Sequence, residues 1–479
     1  MAESLKNKTA KGVLWSFLER FSVQGITFTV MIIMARMLTP QDYGLIGMLT
    51  VFIAISQTLI DSGFSQALIR KQERTEVDNS TVFYFNIGIG LFLYLILFFC
   101  APVIANFYNE PQLTPITRVI GLSVTFNSLA VVQRALLTID IDFRTQAKAS
   151  LIAAIISGIT GISMAYLGFG VWSIVAQQLS NLGLNTLLLC FFSKWRPLWI
   201  YSWTSFKELF TFGSKLLASG IIDTVYRNVY LIVIGRIFKA SDLGYYTRAQ
   251  QFSEFPSSNL TGILQRVTYP VFCTIQDDDE RLASVYRRFL KISAFVIFPL
   301  MTGLAAIAKP LILVLLKEQW IFSATLLQII CFSMMWYPIH AINLNLLQVK
   351  GRSDLFLKLE IWKKCIGVAI LCIMIPMGLI AMCFGTIVSS FISLIINTYY
   401  TGKLINVGFI RQMRDLIPTF ILSLATGAVV YATITMICLH PILQLLVGIL
   451  ENVVIYITAV KVFRFSEFDE IVGLFHNKI

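Results

Sequence analysis

The sequence predicts an integral membrane protein built entirely from α-helices, and three observations predict this fold class. Hydrophobic residues make up 57% of the 479-residue chain and charged residues only 13%, whereas about a quarter of the residues of a soluble domain are charged. The mean hydropathy is +0.76, and apolar runs of roughly 20 residues, the length of a membrane-spanning helix, recur along the chain. The third observation is an internal repeat, because the segment at 35–44 returns at 235–244.

Fourteen spans with short connections account for the apolar runs. We predict that they begin near Gly12, Asp42, Asn79, Pro115, Lys148, Val171, Phe206, Asp242, Tyr286, Ser323, Asp354, Ile380, Asp415 and Pro441. Cytoplasmic loops carry an excess of Lys and Arg, and alternate loops of this chain hold basic clusters, one of them formed by Arg134, Arg144 and Lys148. The opposite loops hold only Arg36, Arg236, Lys239, Lys309 and Lys317. Both termini are therefore predicted to be cytoplasmic.

The repeat relates ARMLTPQDYG at 35–44 to GRIFKASDLG at 235–244, so Arg, Asp and Gly return at matching positions. The two copies follow the first and the seventh predicted spans, which are six spans apart. Such a repeat is parallel, and it predicts two six-helix lobes related by an axis along the membrane normal, with two more helices at the C-terminus. Because folds of this kind move material through the seam between their lobes, we expect a central cavity there.

The repeat also sets the predicted domain boundaries. The first lobe covers residues 1–193, a cytoplasmic linker rich in Trp and Tyr covers 194–207, and the second lobe covers 208–402. Residues 403–479 hold the last two spans and a cytoplasmic tail. All connecting loops are short, which argues against a membrane-embedded polymerase or ligase, since such enzymes need a long loop to hold donor and acceptor.

Polar and charged residues inside the predicted spans concentrate in spans one, two, seven and eight, which form equivalent pairs under the repeat. A charge inside the bilayer costs about 2.5–3.5 kcal/mol, so these residues must face protein or water. On each helix the polar residues share one face. They are Ser16, Arg20, Gln24 and Thr27; Thr50, Gln57, Asp61 and Ser65; Ser219, Asp223, Arg227 and Tyr230; and Arg248, Gln251, Glu254, Ser258, Thr261 and Gln265. One water-filled cavity lined by four spans explains this placement.

Arginine is the residue type that we expect to contact an anionic substrate in this cavity, because its planar guanidinium binds phosphate oxygens bidentately. Arg20 and Arg248 are the strongest candidates. Glu19 precedes Arg20, but neighbouring side chains point about 100° apart on a helix. Glu254 follows Arg248 at a distance of six residues, which is too far for a good local ion pair.

Two further arginines are weaker candidates for contact with the substrate. Arg227 lies four residues after Asp223, and mutual neutralisation of the two is an equally good interpretation. The alternative for Arg266 is an interfacial position, in which its guanidinium group extends to the membrane surface. The acidic residues Asp61, Asp223 and Glu254 are candidates for coupling transport to Na⁺ or protons, and structural pairing is the alternative for each of them.

Several classes of function find no support in the sequence. The eight cysteines stand singly and the three histidines lie far apart, so neither disulfides nor a metal site is expected. There is no phosphate-binding loop for ATP and no catalytic constellation, which favours a transporter over an enzyme. The net charge of +12 is dispersed among loops, so we expect no nucleic-acid partner.

The motifs KGVLWS at 11–16, ARMLTPQDYG at 35–44, DSGF at 61–64, LGYYTRAQ at 243–250 and YPVF at 269–272 carry a family resemblance. With them the chain resembles bacterial polysaccharide flippases of the MOP superfamily, most closely the O-antigen and colanic-acid exporter type. The resemblance covers spans one to eight well. Beyond span eight the chain is similar only in span count and charge pattern.

The resemblance implies two six-helix lobes around a cationic cavity, to which Arg20 and Arg248 would contribute. It implies translocation of undecaprenyl-pyrophosphate-linked oligosaccharide units from the cytoplasmic to the periplasmic leaflet by alternating access, in the bacterial inner membrane. In some relatives spans thirteen and fourteen provide a groove for the polyprenyl tail. We expect a monomer whose partners are this lipid-linked substrate, membrane lipids and the polysaccharide polymerase and chain-length machinery. The alternatives are a cation-coupled multidrug exporter of the same superfamily and, less favoured, an O-antigen polymerase or ligase.

Overall fold

Helices account for all the regular structure in the part of the chain that the computed structural model describes. The described residues are 2–61, 63–71, 73–193, 195–437 and 439–476. The chain divides into two compact units, Met1–Gly244 and Tyr245–Ile479, and each unit is described by itself.

The first unit is arranged around one central helix. Its helices are α1 (Ala2–Ala35), α2 (Pro40–Asp61), α3 (Phe64–Arg70), α4 (Glu76–Tyr108), α5 (Leu113–Ile120), α6 (Leu122–Ile139), α7 (Phe143–Tyr166), α8 (Val171–Phe192), α9 (Trp203–Arg227), α10 (Val229–Ile237) and the first residues of α11 (Ala240–Thr274). The central helix is α2, which packs against α4, α6, α8, α9 and α10. Along one side of the unit, α7 packs between α1 and α8.

The second unit contains the remainder of α11 and has its own central helix. The other helices are α12 (Asp279–Ala306), α13 (Ala308–Leu316), α14 (Ile321–Met334), α15 (Tyr337–Val349), α16 (Ser353–Met374), α17 (Leu379–Ile405), α18 (Phe409–Met436), α19 (Pro441–Val462) and α20 (Ser466–His476). Here α12 is central, since it packs against α14, α15, α17, α18 and α19.

Length and apolarity identify the membrane-spanning helices. Ten stretches of the described chain are long and apolar enough to cross a bilayer, and the pair Leu217–Arg227 and Val229–Ile237, bent by 41°, makes an eleventh if it is counted as one span. The predicted class, an all-α multi-pass membrane protein, is therefore confirmed. Every predicted span begins within a described helix, but α11 and α16 carry too many polar and charged side chains to qualify, and of α1 only Phe21–Ala35 is apolar enough. The count of fourteen stays a prediction.

The predicted linker at 194–207 packs along the start of α4. The Leu198 N–H donates to the Ser80 hydroxyl at 2.9 Å, and the Ser202 N–H donates to the Thr81 hydroxyl at 3.0 Å. The last part of the predicted linker is already helical, because α9 begins at Trp203. In the first unit α9 and α10 pack against α2. The predicted lobes follow the repeat rather than compactness, so their boundaries stay a prediction.

Lys71 joins the start of α4 to α9 through two ion pairs. Its ammonium lies 3.1 Å from Asp78 and 3.0 Å from Glu208. Burial alone would lower the pKa of Lys71, but the hydrogen bonds to Glu208 and Asp78 outweigh burial and raise it. The charge on Lys71 is therefore retained where the chain leaves α3 and enters α4.

The two copies of the repeat meet in the structure at their glycines. A Cβ on Gly44 would lie 1.7 Å from the carbonyl oxygen of Ala240, and a Cβ on Gly244 would lie 1.9 Å from the carbonyl oxygen of Pro40. All four residues belong to the first unit. The first turns of α2 and α11 thus cross backbone against backbone, a separation that only glycine allows.

The repeated aspartates have a local role at the same two helix starts. Asp42 accepts hydrogen bonds from the Thr39 N–H at 2.8 Å and from the Thr39 hydroxyl at 2.7 Å. In the second copy, Asp242 accepts a hydrogen bond from the Lys239 N–H at 3.2 Å. In each case the carboxylate at the third helical position satisfies a backbone donor at the helix start. Of the three repeated residue types, glycine thus allows the crossing and aspartate caps the two helices that cross.

Candidate functional site

A charged cluster in the first unit brings together residues of five helices. Arg134 of α6 interacts electrostatically with Asp61 at the end of α2 and with Glu19 of α1. The Ser150 side chain of α7 hydrogen-bonds to Glu19, and the Ser65 hydroxyl donates to Asp61 at 2.9 Å. The Arg134 side chain is itself exposed. One cation thus lies within electrostatic range of two carboxylates of the same unit.

The assignment of Arg134 to a basic loop is wrong, because the residue lies within α6, five residues before the helix ends. A usable signal was available in the apolar run LAVVQRALLTI at 129–139, which continues on both sides of Arg134.

Two of the other predicted residues of the first unit form an ion pair with each other. Arg20 lies in α1, but its side chain is outside the described part of the structure. Arg227 and Asp223 form an ion pair at 2.8 Å within α9, and both side chains are more than a third exposed. One residue away, the hydroxyls of Thr224 and Thr58 are 2.9 Å apart and join α9 to α2. The pairing agrees with mutual neutralisation of Asp223 and Arg227, and a role of either residue in transport stays a prediction.

In the second unit the predicted residues lie along α11. Arg248 is half-buried and donates to the Gln251 side chain at 2.6 Å. Glu254 accepts from the Gln250 side chain at 2.7 Å, and Arg266 is exposed. These two hydrogen bonds link each charged side chain to a neutral amide on the same helix and so orient it.

A buried polar network, which sequence reasoning missed, joins α15, α17 and α18 of the second unit. Asn343 of α15, Thr401 of α17 and Gln412 of α18 are fully buried. The Gln412 amide donates to Thr401 at 2.9 Å and to the Val407 carbonyl at 3.0 Å, and the Asn343 amide donates to Gln412 at 3.2 Å. Satisfied networks of this kind rigidify a core. The three residues lie on separate helices, and nothing in the sequence shows that they meet.

A second polar contact joins α15 to α17 nearby. One ring nitrogen of His340 lies 3.0 Å from the Ser390 hydroxyl, and the other lies 3.3 Å from the Asn397 amide. No group of three or more His, Cys, Asp or Glu residues in the described ranges is arranged to hold a metal ion. His340 is therefore held by neutral partners of the protein.

A family described as "Polysaccharide biosynthesis protein" matches residues 33–325, more than half of the chain. The lipopolysaccharide biosynthesis protein WzxC of Escherichia coli (strain K12) is 27% identical over 436 residues, which cover 90% of this chain and 88% of that protein. The succinoglycan biosynthesis transport protein ExoT of Rhizobium meliloti (strain 1021) is 26% identical over 334 residues, 70% of this chain and 68% of that protein.

Solved structures share the fold at lower sequence identity. The lipid II flippase MurJ in an inward closed conformation aligns with a TM-score of 0.76 and 15% identity, covering 95% of this chain and all of that one. An inward-facing multidrug resistance MATE transporter of the MOP superfamily aligns with a TM-score of 0.62 and 15% identity, covering 80% and 95%. The chain therefore shares its fold with these two proteins.

Proposed function

Because this chain belongs to the polysaccharide biosynthesis protein family, we propose that it moves undecaprenyl-pyrophosphate-linked oligosaccharide units from the cytoplasmic to the periplasmic leaflet of the bacterial inner membrane. The family match over residues 33–325 carries the proposal. The names of the lipopolysaccharide and succinoglycan relatives, and a fold like that of a lipid II flippase, support it. The arginines on membrane-spanning helices supply the chemistry, since guanidinium groups bind pyrophosphate oxygens bidentately.

Arg20, Arg248 and Arg266 are the proposed contacts of the pyrophosphate, and Arg134 joins them on the strength of the structure. The Arg134 side chain is exposed and interacts electrostatically with two carboxylates. An incoming pyrophosphate would compete with Asp61 and Glu19 for its guanidinium. The same geometry makes Arg227 the weakest member of the set, because Asp223 already holds it at 2.8 Å.

Ion coupling follows from the same competition. A proton or Na⁺ bound at Asp61 would weaken the hold of that carboxylate on Arg134 and leave the guanidinium to the substrate. Release of the cation would restore the attraction and help expel the pyrophosphate. Asp223 and Glu254 are the other proposed coupling residues, each with one identified partner on its own helix.

The crossing of α2 and α11 is the proposed closure of the periplasmic side. Both crossing segments belong to loops predicted to face the periplasm. The backbone contact at Gly44 and Gly244 leaves no gap for a sugar chain. We propose that alternating access separates these two helix starts in the outward-open state, and that the monomer cycles in this way.

Complementation tests the proposed function directly. The gene is deleted in its host, and the distribution of undecaprenyl-pyrophosphate-linked oligosaccharide between the two leaflets is measured with and without a plasmid-borne copy. Accumulation on the cytoplasmic leaflet, cleared by the plasmid, is the expected result. Accumulation on the periplasmic leaflet would assign the chain to polymerisation or ligation. No accumulation would favour the drug-exporter alternative, which the likeness to the multidrug transporter keeps in view.

Topology and partners are proposed on the charge pattern. With both termini in the cytoplasm, reporter fusions after Arg144 and Met413 should report cytoplasm, and a fusion after Glu110 should report periplasm. A reversal at any of the three would break the fourteen-span arrangement. The polymerase and chain-length proteins that would receive the flipped units are proposed partners, and co-purification from solubilised membranes tests them.

A further inference from the structure

A cavity of about 850 Å³ opens at the end of the second unit where α12 begins and α17 ends. Its walls come from the first turns of α12, from residues 402–406 at the end of α17, from the start of α18 and from α20. Five cationic side chains line it: Arg287, Arg288, Lys291, Lys403 and Arg411. Such a concentration of positive charge needs either carboxylate partners or an anionic ligand.

The three cations on α12 have carboxylate partners. The pairs are Arg287 with Asp415 at 2.6 Å, Arg288 with Glu470 at 2.7 Å and Lys291 with Glu467 at 3.6 Å. Two further acids line the cavity, and one of them, Asp279, is held by Lys350 at 2.6 Å. Glu280 is the other, and it lies at the exposed start of α12. The ion pairs of Glu467 and Glu470 also fasten α20 to α12 as one wall of the cavity.

Lys403 and Arg411 differ from these three cations. Among the residues that the structure describes, neither lies within ion-pair distance of a carboxylate. The Lys403 ammonium lies 4.6 Å from the centre of the Tyr399 ring, and the Arg411 guanidinium donates to the Asn406 carbonyl at 3.3 Å. Both side chains are exposed, and Ile410, beside Arg411, is 83% exposed. Accessible cations next to exposed aromatic and aliphatic side chains are typical of the membrane–water interface.

We propose that this cavity binds the phosphate-bearing headgroup of an anionic membrane lipid, with Lys403 and Arg411 contacting the phosphate. Arg411 offers the two parallel N–H donors that suit a phosphate, and Lys403 adds a point charge. Ile410 and Tyr399 would lie against the acyl chains or the glycerol region. A soluble phosphate compound would use the same cations but would gain nothing from these apolar neighbours. The site does not rest on the proposed transport activity.

Lipid titration of the purified full-length protein in detergent tests the site. Binding of phosphatidylglycerol, phosphatidylcholine and inorganic phosphate is compared by native mass spectrometry and by the shift in melting temperature. Phosphatidylglycerol should bind and stabilise, and the other two should not. Equal binding of phosphatidylcholine would overturn the proposal, and so would equal stabilisation by inorganic phosphate, which would mean an anion site without lipid.

Charge-neutralising variants locate the binding. Lys403→Gln combined with Arg411→Gln should weaken phosphatidylglycerol binding about thirtyfold, or about 2 kcal/mol, at about 1 kcal/mol for each interfacial cation. Lys358→Gln combined with Arg414→Gln removes the same charge from exposed positions outside the cavity lining, and it should retain nearly full binding. An equal loss in both double variants would overturn the site. If the first double variant melts lower without lipid, the two single variants decide the question by the same comparison.

A variant of opposite sign separates binding from mere structure. Glu470→Gln removes the carboxylate that holds Arg288 and lowers the negative charge of the cavity wall. Phosphatidylglycerol binding should therefore strengthen several-fold even though α20 loses an ion pair. Unchanged or weaker binding would contradict an electrostatic headgroup site in this cavity.

Discussion

The carbonyl oxygen of Ala240 occupies the space where a side chain on Gly44 would begin, 1.7 Å from the ideal Cβ position. The relationship is reciprocal, since the carbonyl oxygen of Pro40 lies 1.9 Å from the Cβ position of Gly244. No side-chain rearrangement can relieve either clash, because both obstacles are backbone atoms. The contact between the two helix starts therefore requires glycine at both positions.

Gly44→Ala should force α2 and α11 apart at this crossing. Overpacking of this kind costs about 1–3 kcal/mol, so we expect a lower melting temperature of the purified protein and a sharp loss of surface polysaccharide in complementation. The matched control is Gly88→Ala in α4, where an added Cβ meets open space and alanine favours the helix by up to about 1 kcal/mol. If the two variants had equal melting temperatures and equal amounts of surface polysaccharide, the crossing would not require glycine.

Arg134→Ala should lower transport about 10- to 150-fold, because charge-assisted hydrogen bonds are worth about 1.5–3 kcal/mol. Arg134→Lys keeps the charge but not the planar fork, so we expect an intermediate effect. Leaflet distribution of the lipid-linked oligosaccharide provides the measurement. Lys148→Ala, which removes an exposed cation from the neighbouring α7, is the control and should be near wild type. Normal transport in Arg134→Ala would remove this residue from the site.

Arg248→Ala and Arg20→Ala should each abolish surface polysaccharide while the protein stays in the membrane at normal level. The physical reason is loss of a guanidinium donor for the pyrophosphate. Immunoblots of membrane fractions alongside polysaccharide gels distinguish lost function from lost protein. Wild-type polymer in both variants would be evidence against the proposed anion site.

Asp223 and Arg227 should behave as a local pair rather than as separate functional groups. Both side chains are more than a third exposed, and such pairs contribute about 0.2–1 kcal/mol. We therefore expect a double-mutant cycle with Asp223→Ala and Arg227→Ala, measured through the melting temperatures, to give a small coupling energy. If instead only one of the two single variants abolishes transport, the residue changed in the other variant serves only the ion pair.

Gln412→Ala should destabilise the second unit, because it removes partners of the buried Asn343 and Thr401 side chains. Unsatisfied buried polar groups cost about 1–3 kcal/mol, and thermal unfolding of the purified protein measures the loss. Gln348→Ala changes an exposed glutamine on α15 and should leave the melting temperature nearly unchanged. Equal melting temperatures for the two variants would show that the network has no stabilising role.

The fold class and the repeat could be predicted from the sequence, because both depend on regularities that extend along the chain. Apolar runs separate the helices, and the return of Arg, Asp and Gly after 200 residues marks the two equivalent helix starts. Residue spacing also anticipated the Asp223–Arg227 pair, since a four-residue separation brings side chains together on any helix.

The contacts between helices could not be predicted in the same way. Arg134 interacts with Asp61 and Glu19, and Asn343 with Gln412, only because the folded helices bring these residues close. A single sequence contains no record of which helices touch. For the same reason the sequence suggested that the repeated Gly mattered, but not that each glycine faces the backbone of the other copy.

The reciprocity of the Gly44 and Gly244 contacts bears on the origin of the chain. Each copy presents the same small residue to the same part of the other, which is how two identical subunits meet across a two-fold axis. A single-lobe ancestor would have made this contact with a second copy of itself. Gene duplication and fusion would then have turned a homodimer interface into an internal one, and its two sides would have diverged around the retained Arg, Asp and Gly.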